Sequence, residues 1–131
     1  MSSVFSKIIK GEIPCYKIAE DDKYFAFLDI SPVTYGHSLV VTKVEEDYIF
    51  DLDDDQLSGY LPFCKKVSKA IKAVVDCDRV GLAVVGFEIP HSHIHLIPIN
   101  GMRDFSFSNP KLDMKNEAFI ELAEKIKAQL K

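Results

Sequence analysis

An α+β fold follows from three patterns in the sequence. His91-Ser92-His93-Ile94-His95-Leu96-Ile97-Pro98 alternates polar and apolar side chains with a period of two, as a strand with one buried face does. Leu57, Leu61, Cys64, Val67, Ile71 and Val74/Val75 recur instead at helical spacing. Phe119, Leu122, Ala123, Ile126 and Leu130 repeat that spacing near the carboxyl end. No linker, repeat or low-complexity segment interrupts the 131 residues, so a single domain over 1–131 with a sizeable core is expected.

Along the chain, a short helix around Val4–Lys10 ends at Gly11, with Pro14 just beyond it. Strands are expected at Cys15–Glu20, Tyr24–Leu28 and His37–Lys43. Asp21-Asp22 and the loop from Asp29 to Gly36 supply the turns between them. Asp53-Asp54-Asp55 offers a cap and favourable negative charge at the start of the long helix. The acidic run Asp51–Asp55 therefore reads as a solvated cap rather than a metal site. Pro62 is tolerable only in the helix's first turn or so, or at a kink. A strand at Val80–Val85 is expected to pair with the histidine strand, with Gly86-Phe87-Glu88-Ile89-Pro90 connecting the two.

Composition narrows the partners. With 47% hydrophobic and 27% charged residues the chain is an ordinary soluble globular protein. A net charge of −4 argues against a nucleic-acid-binding surface, which carries a basic stripe. Met1-Ser2-Ser3-Val4 opens no long apolar segment, and no run approaches the roughly 20 residues of a membrane span. Cys15, Cys64 and Cys77 are odd in number and widely spaced, which suggests reduced thiols in the cytoplasm. Cys64 falls on the apolar face of the long helix and should pack in the core.

Three of the four histidines sit at alternate positions of one strand, so His91, His93 and His95 share a face while Ile94 and Leu96 bury on the other. A merely half-exposed surface strand would favour β-branched and aromatic residues over imidazole. A metal site meets a geometric objection. His91 and His95 stand about 13 Å apart on a regular strand, too far to share an ion at ligand distances of about 2.0 Å. The cysteines add no paired ligand spacing. Nucleophilic catalysis fits better: the middle imidazole, with a reference pKa near 6.5, is neutral at pH 7 and can attack an electrophile. Its neighbours would then stabilise the developing charge.

On His-x-His-x-His followed by two apolar residues, the chain is identified as a member of the histidine triad (HIT) family of nucleotide hydrolases and transferases. The resemblance extends through Val4–Pro14, Phe25–Pro32, Gly36–Val41 and Gly86–Pro98. It implies a mainly antiparallel sheet of about five strands, one long central helix and terminal helices. His93 then matches the nucleophile that attacks an α-phosphate and forms a nucleotidyl-imidazole intermediate. His91 and His95 would donate hydrogen bonds to the non-bridging oxygens, and His37 would support the triad from an adjacent strand. Asp29 matches the residue that accepts from both ribose hydroxyls, although a turn-forming aspartate would look the same. Phe5, Ile8, Ile13, Phe27, Leu28 and Ile30 match apolar positions around the base. Gly86 and Glu88 complete the nucleotide-binding set.

The implied ligand is a purine nucleotide or nucleotide conjugate, cleaved as a phosphoramidate or a dinucleoside polyphosphate, without cofactor, nucleic acid or membrane. A two-fold homodimer is implied too, with the Leu57–Val75 helix in the contact. The alternative is a nucleotide-binding regulatory or partner protein with weak catalysis. The resemblance also shows departures. Relatives commonly carry Ala-Gly-Gln ahead of the triad, and here the residues are Val85-Gly86-Phe87. An asparagine common just upstream is replaced near Val80-Gly81. Glu88 stands where some relatives have a serine that assists an amine leaving group. Pro98-Ile99 replaces Pro-Arg, and Met102–Lys111 has no family counterpart. One branch of the family holds a structural zinc with Cys-x-x-Cys and a later histidine. The corresponding residues are Ser3, Ser6 and Glu45, so no metal is expected here.

Overall fold

A computed structural model describes residues 2–130, so residues 1 and 131 of the expected 1–131 domain lie outside the described residues. Five strands form one sheet: β1 (Lys17–Glu20), β2 (Tyr24–Leu28), β3 (Ser38–Thr42), β4 (Arg79–Ala83) and β5 (His93–Ile99). Their spatial order is β1-β2-β3-β5-β4, and every neighbouring pair is antiparallel. The expected pairing of the histidine strand with the strand before it is present, with Ala83 opposite His95 and Leu82 opposite Leu96. Three helices accompany the sheet: α1 (Val4–Ile9), α2 (Asp54–Val74) and α3 (Asn116–Lys127).

Pleating divides the side chains between two cores. Tyr24, Ala26, Leu28, Val40, Ile94 and Leu96 pack with Phe63, Val67 and Ile71 of α2 and with Phe119, Leu122 and Ile126 of α3. On the opposite face Phe25, Phe27, Leu39 and Val41 pack with Phe5 of α1. Both faces of β2 are thus covered, and all five of its residues are buried. That explains why Tyr24–Leu28 reads as a continuous apolar run rather than an alternating one. Among the described residues no helix is long and apolar enough to cross a membrane.

Asp53 caps α2 as expected, its carboxylate accepting from the Gln56 N–H at 2.8 Å. Pro62 departs from expectation, because it lies inside α2 well past the first turn. Its missing N–H leaves the Ser58 carbonyl without a helical donor. Both residues are exposed, so solvent rather than the core meets that carbonyl. Cys64 is buried, as anticipated, and burial pushes its thiol up to about 12.

Candidate active site

β5 begins at His93, so the sheet presents His93 and His95 on the face opposite the two large helices. They open into a cavity of about 300 Å³ between α1, the end of β2, the 86–90 connection and the segment after β5. Of the nucleotide-binding residues anticipated from sequence, Phe5, Ile8, Ile13, Phe27, Leu28, Asp29, Ile30 and Glu88 line this cavity together with His37, His93 and His95. Its interior is mostly apolar, with the polar atoms of Asp29, His37 and His95 gathered together, as in small-molecule sites generally.

Hydrogen bonds assign the proton positions in the triad. The Nδ1 of His93 is 2.7 Å from the carbonyl oxygen of His91, which can only accept. A proton therefore sits on Nδ1, and in the neutral ring Nε2 carries the lone pair. A second chain runs in the opposite sense. The backbone N–H of Val33 donates to His37 Nδ1 at 3.1 Å, so neutral His37 carries its proton on Nε2. His37 Nε2 then donates to His95 Nδ1 at 3.0 Å, which leaves the His95 proton on Nε2. Burial lowers the pKa of both His37 and His95 to about 4, so both are neutral at pH 7. A lone pair on His93 and an N–H donor on His95 thus stand side by side, with ring centroids 5.1 Å apart.

His91 requires a correction. It precedes β5, is completely buried, and does not line the cavity. Its Nε2 donates to the Thr42 carbonyl at 2.7 Å, and Ser3 Oγ donates to its Nδ1 at 2.6 Å. Both ring nitrogens of His91 are thus engaged, and its carbonyl meets the site by accepting from His93. Ser3 Oγ also accepts from the Ser6 N–H as the cap of α1. Glu45 accepts from the Ser3 N–H at 2.8 Å and from the Ser6 hydroxyl at 2.5 Å. These bonds hold the Glu45 carboxyl below its usual range.

Ser3, Ser6 and Glu45, the residues matching the zinc ligands of one family branch, therefore meet at a single point, with His91 as a fourth member. They do not fit zinc. Hydroxyls replace thiolates, and each of these donors and acceptors already has a partner within the cluster. The group Asp29, His37 and His95 also has its ligand atoms within 4.8 Å of one another. Here the Val33 N–H opposes metal binding, because it keeps the His37 proton on the nitrogen that would face an ion.

Asp29 makes the turn that the sequence allowed and also lines the cavity. One carboxylate oxygen closes a turn by accepting from the Ser31 N–H at 2.8 Å. The other faces the cavity, 3.5 Å from His37 Nε2. Gly86 is the second residue to correct. It lies outside the cavity, in an adjoining groove with Tyr48, Phe50 and Phe87 that meets the main cavity only at His93. Its φ of +86° fits the turn ahead of the triad, a conformation that glycine adopts without steric cost. Sequence reasoning missed Val33, whose contribution is a backbone N–H, and also Phe107 and Lys111. The Phe107 ring packs edge-on against His95 at 4.7 Å, and Lys111 lines the cavity.

The HIT domain family model matches residues 10–102. The chain belongs to the HIT family. It is 35% identical to the adenosine 5'-monophosphoramidase of Schizosaccharomyces pombe over the full length of both chains. Among solved structures it is similar to a HIT-like protein of Bartonella henselae involved in cell-cycle regulation, with a TM-score of 0.83 and 29% identity over 98% of this chain and 97% of that one. It is equally similar in shape to a zinc-bound HIT protein of Mycobacterium smegmatis, with a TM-score of 0.83 and 25% identity over 98% and 93% of the two chains. The five-stranded antiparallel sheet and three helices are the fold of these HIT neighbours. The family match ends at residue 102, so Phe107 and Lys111 fall outside the region this HIT protein shares with the family model.

Proposed function

We propose that this protein is a hydrolase that cleaves a purine nucleotide derivative at its α-phosphorus through a nucleotidyl intermediate on His93. The observation that carries the reading is the bond from His93 Nδ1–H to the His91 carbonyl. It fixes the tautomer in which Nε2 has a lone pair for attack, and it disperses the positive charge that grows on the ring as the bond to phosphorus forms. The nucleoside would lie over Phe5, Phe27 and Ile30, with Asp29 accepting from the ribose hydroxyls.

In the first step the Nε2 pair bonds to phosphorus, and the leaving group departs with the electron pair of its bond to phosphorus and gains a proton. The Nε2–H of His95 donates to a non-bridging oxygen, where charge accumulates in the transition state. Water then attacks phosphorus from the face that the leaving group vacated. The phosphorus–nitrogen bond breaks and its electron pair returns to Nε2, the proton of the attacking water passes to solvent, and nucleoside monophosphate leaves. The name of the S. pombe relative supports an amine leaving group. Glu88 lines the cavity, where it would meet such a leaving group.

Turnover should be measured on adenosine phosphoramidate, diadenosine polyphosphate and adenylyl sulfate, alongside the His93→Asn variant. The expected result is hydrolysis of the phosphoramidate by the wild type. The variant should lose that activity by at least about a thousandfold while its AMP binding changes little. Near-native turnover by His93→Asn would end the proposal. AMP binding without turnover on any of the three would favour the alternative of a nucleotide-binding partner protein.

A further inference from the structure

Positive charge near the oxygens of a phosphate favours its binding and its reaction. His37 and His95 are neutral, and the two carboxylates lining the cavity, Asp29 and Glu88, are of the wrong sign. The residue after Pro98, an arginine in many relatives, is Ile99 here, so β5 brings no cation either. Among the described residues that line the cavity, Lys111 is the single lysine or arginine.

The segment carrying Lys111 is held over the triad at three points. Gly81 of β4 lies opposite Ile97, on the same face as His93 and His95. The Phe105 ring sits on it so closely that a Cβ at residue 81 would come within 2.7 Å of the ring. Phe107 packs edge-on against His95, and its centroid is 6.4 Å from that of His37. The Leu112 N–H donates to the Pro32 carbonyl at 2.8 Å, tying the segment to the loop between β2 and β3. Between these anchors the Lys111 ammonium donates to the Phe107 carbonyl at 2.6 Å and more weakly to the Asn109 carbonyl at 3.4 Å. An ammonium has three donors, so one is left for a ligand. Its charge is felt at His37, where it adds to the effect of burial in disfavouring the imidazolium.

We infer that Lys111, presented by the 102–112 segment, is the anion-recognising residue of this site and binds the phosphate group of the nucleotide. The inference rests on the proposed nucleotide reading and refines it. The ligand is recognised as a phosphate-bearing nucleoside rather than as a nucleoside alone. The charge that does this comes from a segment outside the HIT domain match. Gly81, having no side chain, makes room for the ring that docks that segment.

Calorimetric titration of AMP and of adenosine into wild type, Lys111→Gln and Lys111→Arg, at low and high salt, tests this directly. A charged hydrogen bond lost from the complex should weaken AMP binding by about tenfold or more in Lys111→Gln. Adenosine binding should stay unchanged, the salt dependence of AMP binding should flatten, and Lys111→Arg should recover most of the loss. Equal AMP affinity in wild type and Lys111→Gln would overturn the inference while leaving the nucleotide reading intact. Parallel loss of AMP and adenosine binding would also overturn it, since the segment would then only be propping the pocket. If wild type binds neither ligand, the nucleotide reading itself fails and this inference goes with it.

Discussion

At the residue scale the site depends on imidazoles that stay neutral. His37 and His95 have folded pKa values near 4 against about 6.5 in an unfolded chain. Between those values the unfolded chain binds more protons than the folded one, so stability rises with pH there. The contribution is complete above about pH 6.5 and is lost as pH falls toward 4. For His37, which is 2% exposed, a depression of this size corresponds to roughly 3 kcal/mol. Protonating His37 at Nδ1 would also set its new N–H against the N–H of Val33. Side-chain nitrogen NMR at pH 5 should therefore find His37 neutral and protonated on Nε2. An imidazolium signal from His37 at that pH would refute the tautomer chain. The histidine pattern pointed to the strand and to the nucleophile, yet nothing in it could reveal the Val33 N–H, because a backbone donor leaves no trace in side-chain identity.

At the element scale α1 is fastened to the triad by a cap that does two jobs. Ser3 Oγ accepts from the first turn of α1 and donates to His91, whose carbonyl in turn holds His93. Ser3→Ala should cost about 1–3 kcal/mol through the lost cap and the unpaired buried imidazole nitrogen. Because His91 then loosens, kcat should fall while KM changes little, and both can be read from thermal melts and steady-state kinetics. A fall in stability with kcat intact would separate the cap from the chemistry. The same cluster predicts that a chelator leaves the wild-type melting temperature unchanged. Ser3→Cys with Ser6→Cys and Glu45→His should acquire about one zinc per chain, since His91 already occupies the fourth corner. The identities of Ser3, Ser6 and Glu45 were legible in sequence through the resemblance. The burial of His91 was not, because alternation along β5 was extended to a residue that precedes the strand. The 102–112 segment was equally opaque. Phe105 and Phe107 stand two residues apart, yet their segment is neither strand nor helix, and their partners, Gly81 and His95, are distant in sequence.

At the scale of the whole molecule one edge of the sheet is left open. β4 ends the order β1-β2-β3-β5-β4, so among the described residues its outer N–H and C=O groups have no neighbouring strand. Beside it Leu82 is 45% exposed and Val85 49%, while Leu61 across on α2 is 59% exposed. Leu61, Pro62, Val80 and Leu82 line a shallow groove between that strand and that helix. An open edge flanked by apolar side chains is a template for pairing, and pairing with an identical copy closes it about a two-fold axis. We propose that β4 pairs antiparallel with β4 of a second copy, with Leu61 and Leu82 buried in the contact. The sequence placed α2 at this interface, but most of its apolar stripe, including Cys64, Val67 and Ile71, faces the chain's own core. The strand edge is therefore expected to contribute as much as the helix. Light scattering at micromolar concentration should give about twice the 14.8 kDa of one chain. Leu82→Asp with Leu61→Asp should shift the protein to monomer without unfolding it, because both side chains are already largely exposed. A wild type that stays monomeric at that concentration would refute the pairing. A double variant that remains dimeric would place the interface elsewhere.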